Sequence, residues 1–232
     1  MFENCLGAQY TLYSFDLFAH GQSVWGHGDS ALSPKVWSEM IDEFLEQEQI
    51  NEFSIMAYSM GGKMALTAYE YFSKRVKKLI LIAPDGIKTS FWYSAATYPG
   101  ILSKFFKFTV YNPSYYFKIL KVFKFFKLID QGILKFADNE MNSPSKRERV
   151  YFSWMIHRNI IPSKEIIVEK LNASSTEIIF VTGRYDKIMQ SKDIATFADK
   201  IKNAKHYVLD SGHTSLLKNL AKEENIKFIN YV

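Results

Sequence analysis

Residues 53–72 read FSIMAYSMGGKMALTAYEYF, a short apolar strand that passes into a helix with almost no loop between them. A chain that changes from period two to period 3.6 within three residues must turn sharply there, and the turn must be built from small side chains. The same alternation recurs along the chain. KKLILIAP (77–84) reads as the next strand, and its unbroken apolar run suits a parallel strand buried on both faces. EIIFVTG (177–183), a helix around 190–202, HYVLD (206–210) and a final helix continue the rhythm. YTLYSFDL (10–17) reads as an earlier strand, followed by the Gly- and Ser-rich loop AHGQSVWGHGDS. Ser33 and Pro34 then open a helix that carries Val36, Trp37, Met40, Ile41 and Phe44 on one face.

Parallel strands need crossovers, so these pieces predict an α/β protein with a doubly wound, mostly parallel sheet built from residues 1–86 and 166–232. The segment between them, 87–165, has a different character. It is helical in pattern, crowded with aromatics and lysines, and free of strand–helix alternation. It is read as a helical cap inserted over the sheet.

Composition narrows the function classes. With 47% hydrophobic and 23% charged residues over 232 positions, the chain can bury a sizeable core. No apolar run approaches the roughly 20 residues that span a bilayer. MFENCLGAQY at the start has neither a basic nor an apolar leader region, so a cytoplasmic location is the expectation. The single cysteine, Cys5, excludes an internal disulfide and a zinc site of several thiolates. The net charge of +5 comes from lysines scattered along the chain without a nucleic-acid motif, so no nucleic-acid partner is expected.

The strand-to-helix corner carries Ala57-Tyr58-Ser59-Met60-Gly61-Gly62. A serine at such a turn is held clear of both elements at the C-terminal edge of the sheet. Ala57 and Gly61 leave room for strand and helix to approach. The helix begins just after the serine, so its N-terminus offers N–H groups and a positive dipole end to a developing oxyanion, with the Met60 N–H as one donor.

This corner resembles the nucleophile elbow of the α/β-hydrolase superfamily, in particular its small capped serine hydrolases with a Ser-Met-Gly-Gly elbow. The pattern there is Gly-x-Ser-x-Gly, and this chain has Ala57 in the first position. Asp16-Leu17-Phe18-Ala19-His20-Gly21-Gln22-Ser23 resembles the Asp-x-x-Gly-His-Gly-x-Ser loop, again with alanine for a glycine. Thr182-Gly183-Arg184-Tyr185-Asp186 resembles the strand end that delivers the acid, and Ser211-Gly212-His213 the loop that delivers the histidine. The resemblance runs over residues 10–232 and implies Ser59 as nucleophile, His213 as general base and then acid, and Asp186 as the group that fixes the imidazole tautomer. The chemistry demands such partners, because a serine hydroxyl is a weak nucleophile without an adjacent, oriented base.

Alternatives stand beside each assignment. Ser59 can be a plain helix N-cap, and His213 a loop histidine without a role. Asp210 lies nearer His213 in sequence, and Asp85 also ends a strand, so both compete with Asp186 as the acid. His20 and His27 are read as loop hydrogen-bonding groups, and His157 and His206 as incidental. No spacing of His, Asp and Glu points to a metal, and no organic cofactor is expected.

Members of the superfamily reach the Asp16-type strand only after earlier strands and a His-Gly loop that supplies a second oxyanion donor. About ten residues precede it here. A gene model begun late, a neighbouring subunit covering the exposed sheet edge in a homo-oligomer, and a non-catalytic descendant are the competing explanations. Loss of one donor typically costs about 10²–10³ in rate.

Fourteen of the 37 aromatic residues lie between Phe91 and Phe126, and Lys118, Lys121, Lys124 and Lys127 recur every three residues among them. Aromatics packed on a core with lysines in water is the first reading. An apolar underside lining an acyl- or aryl-accepting pocket is the second, and contact with an anionic membrane surface the third. The sequence therefore predicts a serine hydrolase that cleaves a hydrophobic carboxylic ester or thioester through an acyl-enzyme. A carbon–carbon bond hydrolase, a lyase resembling those of the menaquinone pathway, and a binding protein without turnover are the alternatives.

Overall fold

The computed structural model describes residues 2–28, 30–88, 91–98, 100–125, 131–222 and 227. Strands β1 (Phe53–Tyr58), β2 (Val76–Ile82), β3 (Glu177–Gly183) and β4 (Lys205–Leu209) form one parallel sheet in the order β1-β2-β3-β4. The elements divide into two compact units. The first comprises Met1–Ser14, Pro34–Lys88 and Ile160–Val232, and the second Phe15–Ser33 and Thr89–Asn159.

The first unit contains the sheet, with helices on both of its faces. Period two sends alternate residues of each central strand into separate cores. Leu79 and Leu81 of β2, with Ile178 and Phe180 of β3, pack against helices α3 (Gly61–Phe72), α9 (Lys164–Ala173) and α10 (Ser191–Ala198). Ile80, Ile82, Ile179 and Val181 face the other way, onto Leu6 of α1 (Glu3–Leu6) and Leu216 and Leu220 of α11 (Leu216–Leu220). This two-sided burial is why 79–83 and 178–181 are apolar without a break.

Helix α2 (Pro34–Gln47) starts where the Ser33-Pro34 signal places it. Its buried stripe is Trp37, Ile41 and Leu45, whereas Val36 and Met40 are exposed, so the inward face is rotated from the predicted one. The Trp37 indole anchors it by donating to the Met64 carbonyl of α3 at 3.0 Å.

The predicted strand at 10–17 is not formed. Tyr13 instead lies on α2, its ring edge-on to Phe44 and its hydroxyl donating to Glu48 at 2.8 Å. Tyr10, Leu12 and Phe15 are exposed. Alternating apolar residues become a strand only with a neighbouring ladder, and among the described residues β1 pairs with β2 alone.

The second unit is helical: α4 (Phe91–Thr97), α5 (Ile101–Tyr111), α6 (Pro113–Phe125), α7 (Gln131–Met141) and α8 (Pro144–Ile156), closed by a 3₁₀ turn at His157–Asn159. Val110, Met141, Tyr151 and Met155 form its core. Arg147 of α8 is buried and donates to the carbonyls of Val110 and Met141, at 2.9 and 3.1 Å. One cation thereby satisfies carbonyls at the C-terminal ends of both α5 and α7, where the helix dipole favours positive charge. Residues 15–33, absent from the expected 87–165 segment, belong to this unit, and Leu32 donates to the Ile156 carbonyl at 2.8 Å. Lys127 of the lysine series lies outside the described residues.

Candidate active site

Backbone bonds hold the corner between β1 and α3. Ser59 has φ of 51°, in the left-handed region that L-residues other than Asn and Asp rarely enter. Its N–H donates to the Ile82 carbonyl at 3.0 Å, and its own carbonyl accepts from Gly62 at 2.8 Å and Asp85 at 2.9 Å. The end of β2 therefore grips both sides of the strained residue, which is what allows the strain to persist.

The corner leaves less room at Gly62 than at Gly61. A Cβ on Gly61 would meet the Ala57 Cβ at 3.7 Å, an ordinary contact. A Cβ on Gly62 would lie 2.6 and 2.7 Å from Pro84 atoms and 2.9 Å from the Asp85 carbonyl oxygen. The tight approach is thus between the first turn of α3 and the segment after β2. Only the second glycine of the Gly61-Gly62 pair could have signalled it.

Asp186 and His213 follow β3 and β4, both at the C-terminal edge of the sheet where Ser59 stands. The two strand ends are drawn together at Gly183, where an added Cβ would sit 2.4 Å from the Ser211 carbonyl oxygen, and Tyr185 donates to that oxygen at 3.0 Å. Asp186 is 3% exposed; its Oδ1 accepts from the N–H groups of Ile188 and Met189, each at 2.8 Å. Its Oδ2 is left for His213 Nδ1 at 2.7 Å. A carboxylate only accepts, so Nδ1 carries the proton and Nε2 presents a lone pair. Ser59 Oγ donates to that Nε2 at 2.9 Å. His213 is 8% exposed and is braced by Tyr58, whose hydroxyl donates to the His213 carbonyl at 2.8 Å and whose ring lies 5.2 Å from the imidazole. Sequence reasoning misses this role of Tyr58, because a tyrosine at the end of a strand carries no distinguishing pattern.

Ser59, His213 and Asp186 therefore come together in one hydrogen-bonded line. Met60 is the N-cap residue of α3, immediately after the serine. The competing acids lie elsewhere. Asp210 pairs with Arg184 at 2.6 Å on the surface, and Asp85 faces Lys63 at 3.9 Å. Lys63 is 3% exposed; burial pushes its ammonium down to about 8, and the nearby Asp85 charge only partly offsets this. Burial likewise pushes the Asp85 carboxyl up, against the pull of Lys63 and of the Gly86 N–H. This pair stands directly behind the elbow, since Asp85 supplies one of the two N–H groups on the Ser59 carbonyl.

The other histidines have local partners. His20 Nδ1 lies 3.3 Å from the Phe18 carbonyl, His27 stacks edge-on to Trp25, and His157 Nδ1 lies 2.8 Å from the Ser153 carbonyl. His206 Nε2 lies 2.7 Å from Thr182 Oγ1, and burial pushes its imidazole down. Among the described residues no group of three or more His, Cys, Asp and Glu is placed to hold a metal ion. No described helix is long and apolar enough to cross a membrane.

Comparison with known proteins agrees with this architecture. The family described as alpha/beta hydrolase fold matches residues 1–220. The inferred esterase/lipase 3 of Mycoplasma genitalium is 24% identical over 224 residues, covering 90% of this chain and 77% of that protein. Among solved structures, the alpha/beta hydrolase MGS-M2 from a Medee basin deep-sea metagenome superposes with a TM-score of 0.63 at 14% identity, covering 94% of this chain and 78% of that one. A structure from work on carboxylesterases of the thaumarchaeon Nitrososphaera gargenis gives 0.58 at 17% identity, covering 92% and 75%.

Proposed function

This chain belongs to the alpha/beta hydrolase fold family, and from that premise we propose that it is a serine hydrolase acting on a hydrophobic carboxylic ester or thioester. The observation that carries the reading is the line from Ser59 Oγ through His213 to Asp186, at 2.9 and 2.7 Å. Both distances are within the range for proton transfer along a hydrogen bond. The names of the relatives, esterase/lipase and carboxylesterase, favour an acyl substrate.

In this mechanism Ser59 Oγ attacks the carbonyl carbon as its proton passes to His213 Nε2. The carbonyl π electrons move to oxygen, where the Met60 N–H at the start of α3 stabilises the negative charge. The tetrahedral intermediate collapses, the bond to the leaving oxygen or sulfur breaks, and His213 returns the proton to it. Water then attacks the acyl-Ser59 ester as Nε2 removes its proton; the bond from carbon to Ser59 Oγ breaks, Nε2 returns the proton to Oγ, and the carboxylic acid departs. Asp186 keeps the ring in the Nδ1–H tautomer and stabilises the imidazolium. Two backbone donors on Oδ1 prevent its carboxylate from turning away.

Intact-mass labelling with a fluorophosphonate tests the reading. Wild type is expected to gain one adduct, and Ser59→Ala and His213→Ala none. A folded wild-type sample that gains no adduct overturns it.

A further inference from the structure

Between Gly86 and Ile129 the chain has seven lysines and no aspartate or glutamate. Two helices of the second unit, α5 and α6, fall inside this stretch and carry more apolar surface than their core uses. The inward side of α5 is already satisfied: Val110 and Thr109 are buried, and Phe106 packs on Tyr151 and Trp154 with ring centroids at 5.6 and 5.5 Å. Yet Ile101, Leu102, Phe105 and Phe108 form a second apolar face at helical spacing, exposed to solvent, with Ile101 at 85%. On α6, Tyr115, Val122 and Phe125 (81%) are exposed alongside Lys118, Lys121 and Lys124.

The two faces are continuous. Phe108 and Tyr115 meet with ring centroids at 5.2 Å, and Lys118 Nζ lies 5.6 Å from the Tyr115 ring centroid. A patch of aliphatic and aromatic side chains studded with cations, on helices that themselves carry no aspartate or glutamate, has few matching partners. A second copy of the same face would bring lysine against lysine. A nucleic-acid backbone would use the lysines but leave Ile101, Leu102 and Val122 exposed. A bilayer with anionic headgroups satisfies both halves: the apolar side chains enter the headgroup–acyl boundary while the lysine stems lie flat and place their ammonium groups among the phosphates.

We propose that the α5–α6 face is an interfacial docking surface for an anionic lipid bilayer. It holds the chain on the membrane without spanning it, and it does not depend on the chemistry at Ser59.

Co-sedimentation of the full chain with vesicles tests this. Vesicles of phosphatidylcholine mixed with phosphatidylglycerol are expected to bind the chain, and vesicles of phosphatidylcholine alone much less. Each lysine near an anionic surface contributes about fivefold in partitioning, so Lys118→Gln with Lys121→Gln is expected to lower binding about 30-fold. Ile101→Ser with Phe125→Ser is expected to weaken binding that persists at raised salt, because insertion rather than charge supplies that part. Ser59→Ala binds as wild type. Unchanged melting of the four exposed-site substitutions keeps loss of fold out of the comparison. No preference for the anionic vesicles overturns the proposal, and so does binding to soluble polyglutamate equal to that on vesicles, which assigns the face to an acidic protein. Binding unaffected by Ile101→Ser with Phe125→Ser also overturns it, since the apolar face would then play no part.

Discussion

The two units of this chain use apolar residues in opposite ways. In the sheet unit every apolar side chain of β2 and β3 has a destination, Leu79 and Leu81 in one core and Ile80 and Ile82 in the other. In the helical unit Val110, Met141, Tyr151 and Met155 form a core cluster while Ile101, Leu102, Phe105 and Phe125 stand in solvent. The first distribution is that of a scaffold holding groups at fixed distances, and the second that of a surface waiting for a partner. Chemistry at Ser59 should therefore be sensitive to substitutions in the sheet unit and indifferent to those on the exposed face of α5.

The largest effect that would sharpen this contrast is on turnover. Ser59→Ala and His213→Ala are each expected to lower kcat on a chromogenic ester by about 10⁶-fold, and Asp186→Asn by about 10⁴-fold, because the wrong imidazole tautomer then faces the serine. Ile101→Ser should leave hydrolysis of a soluble short-chain ester unchanged. A comparable loss from Ile101→Ser would break the division between scaffold and surface.

The buried pair behind the elbow comes next. Lys63→Met removes a buried ammonium whose desolvation outweighs its attraction to Asp85, so stability in urea unfolding near pH 7 should stay within about 1 kcal/mol of wild type or rise. The pH dependence follows from the direction of the Lys63 shift. Its ammonium titrates at about 8 in the folded chain and at the ordinary lysine value of 10.5 once unfolded, so between these values the unfolded chain holds more protons. Stability should rise as pH increases from about 8 toward 10.5, because the cost of a buried charge is present in full below that window and relieved across it. Denaturant midpoints of Lys63→Met should lack this rise.

How much of this was legible depended on how many partners a residue type needs. The strands at 77–84 and 177–183 were readable because burial on both faces demands an unbroken apolar run, which few other structures require. Ser59, Asp186 and His213 were readable because each sits at a punctuated strand end. The segment 10–17 has equally good strand residues but no neighbouring ladder, and a pattern within one segment carries no information about its neighbour. On α2, Val36 and Met40 match the helical period as well as Leu45 does, so the choice of inward face was made by packing on α3. In α5 and α6 apolar residues surround the helix, so periodicity announces a helix without indicating which side is buried.

The glycines of the elbow give a further test within the sheet unit. Gly62→Ala must push on the backbone of Pro84 and Asp85 and should destabilise the chain by about 1–3 kcal/mol. Gly61→Ala places its Cβ in ordinary contact at the first position of α3 and should be neutral or stabilising by up to about 1 kcal/mol. Thermal melts of the two variants separate them, and equal losses would mean that the corner is tight on both sides.

The smallest expected effect lies in the helical unit, at Ala19. It has φ of 66° in a turn where His20 donates to the Leu17 carbonyl at 2.8 Å and Ala19 itself donates to Ser23 at 3.1 Å. An L-residue pays about 1–2 kcal/mol for that conformation, and glycine does not. Glycine also gives the unfolded chain more freedom, which returns about 0.4–1 kcal/mol of the difference. The net gain for Ala19→Gly should therefore be about 0.5–1 kcal/mol, read as a small rise in melting temperature. A decrease would mean that the alanine methyl packs within this loop by more than its backbone strain costs.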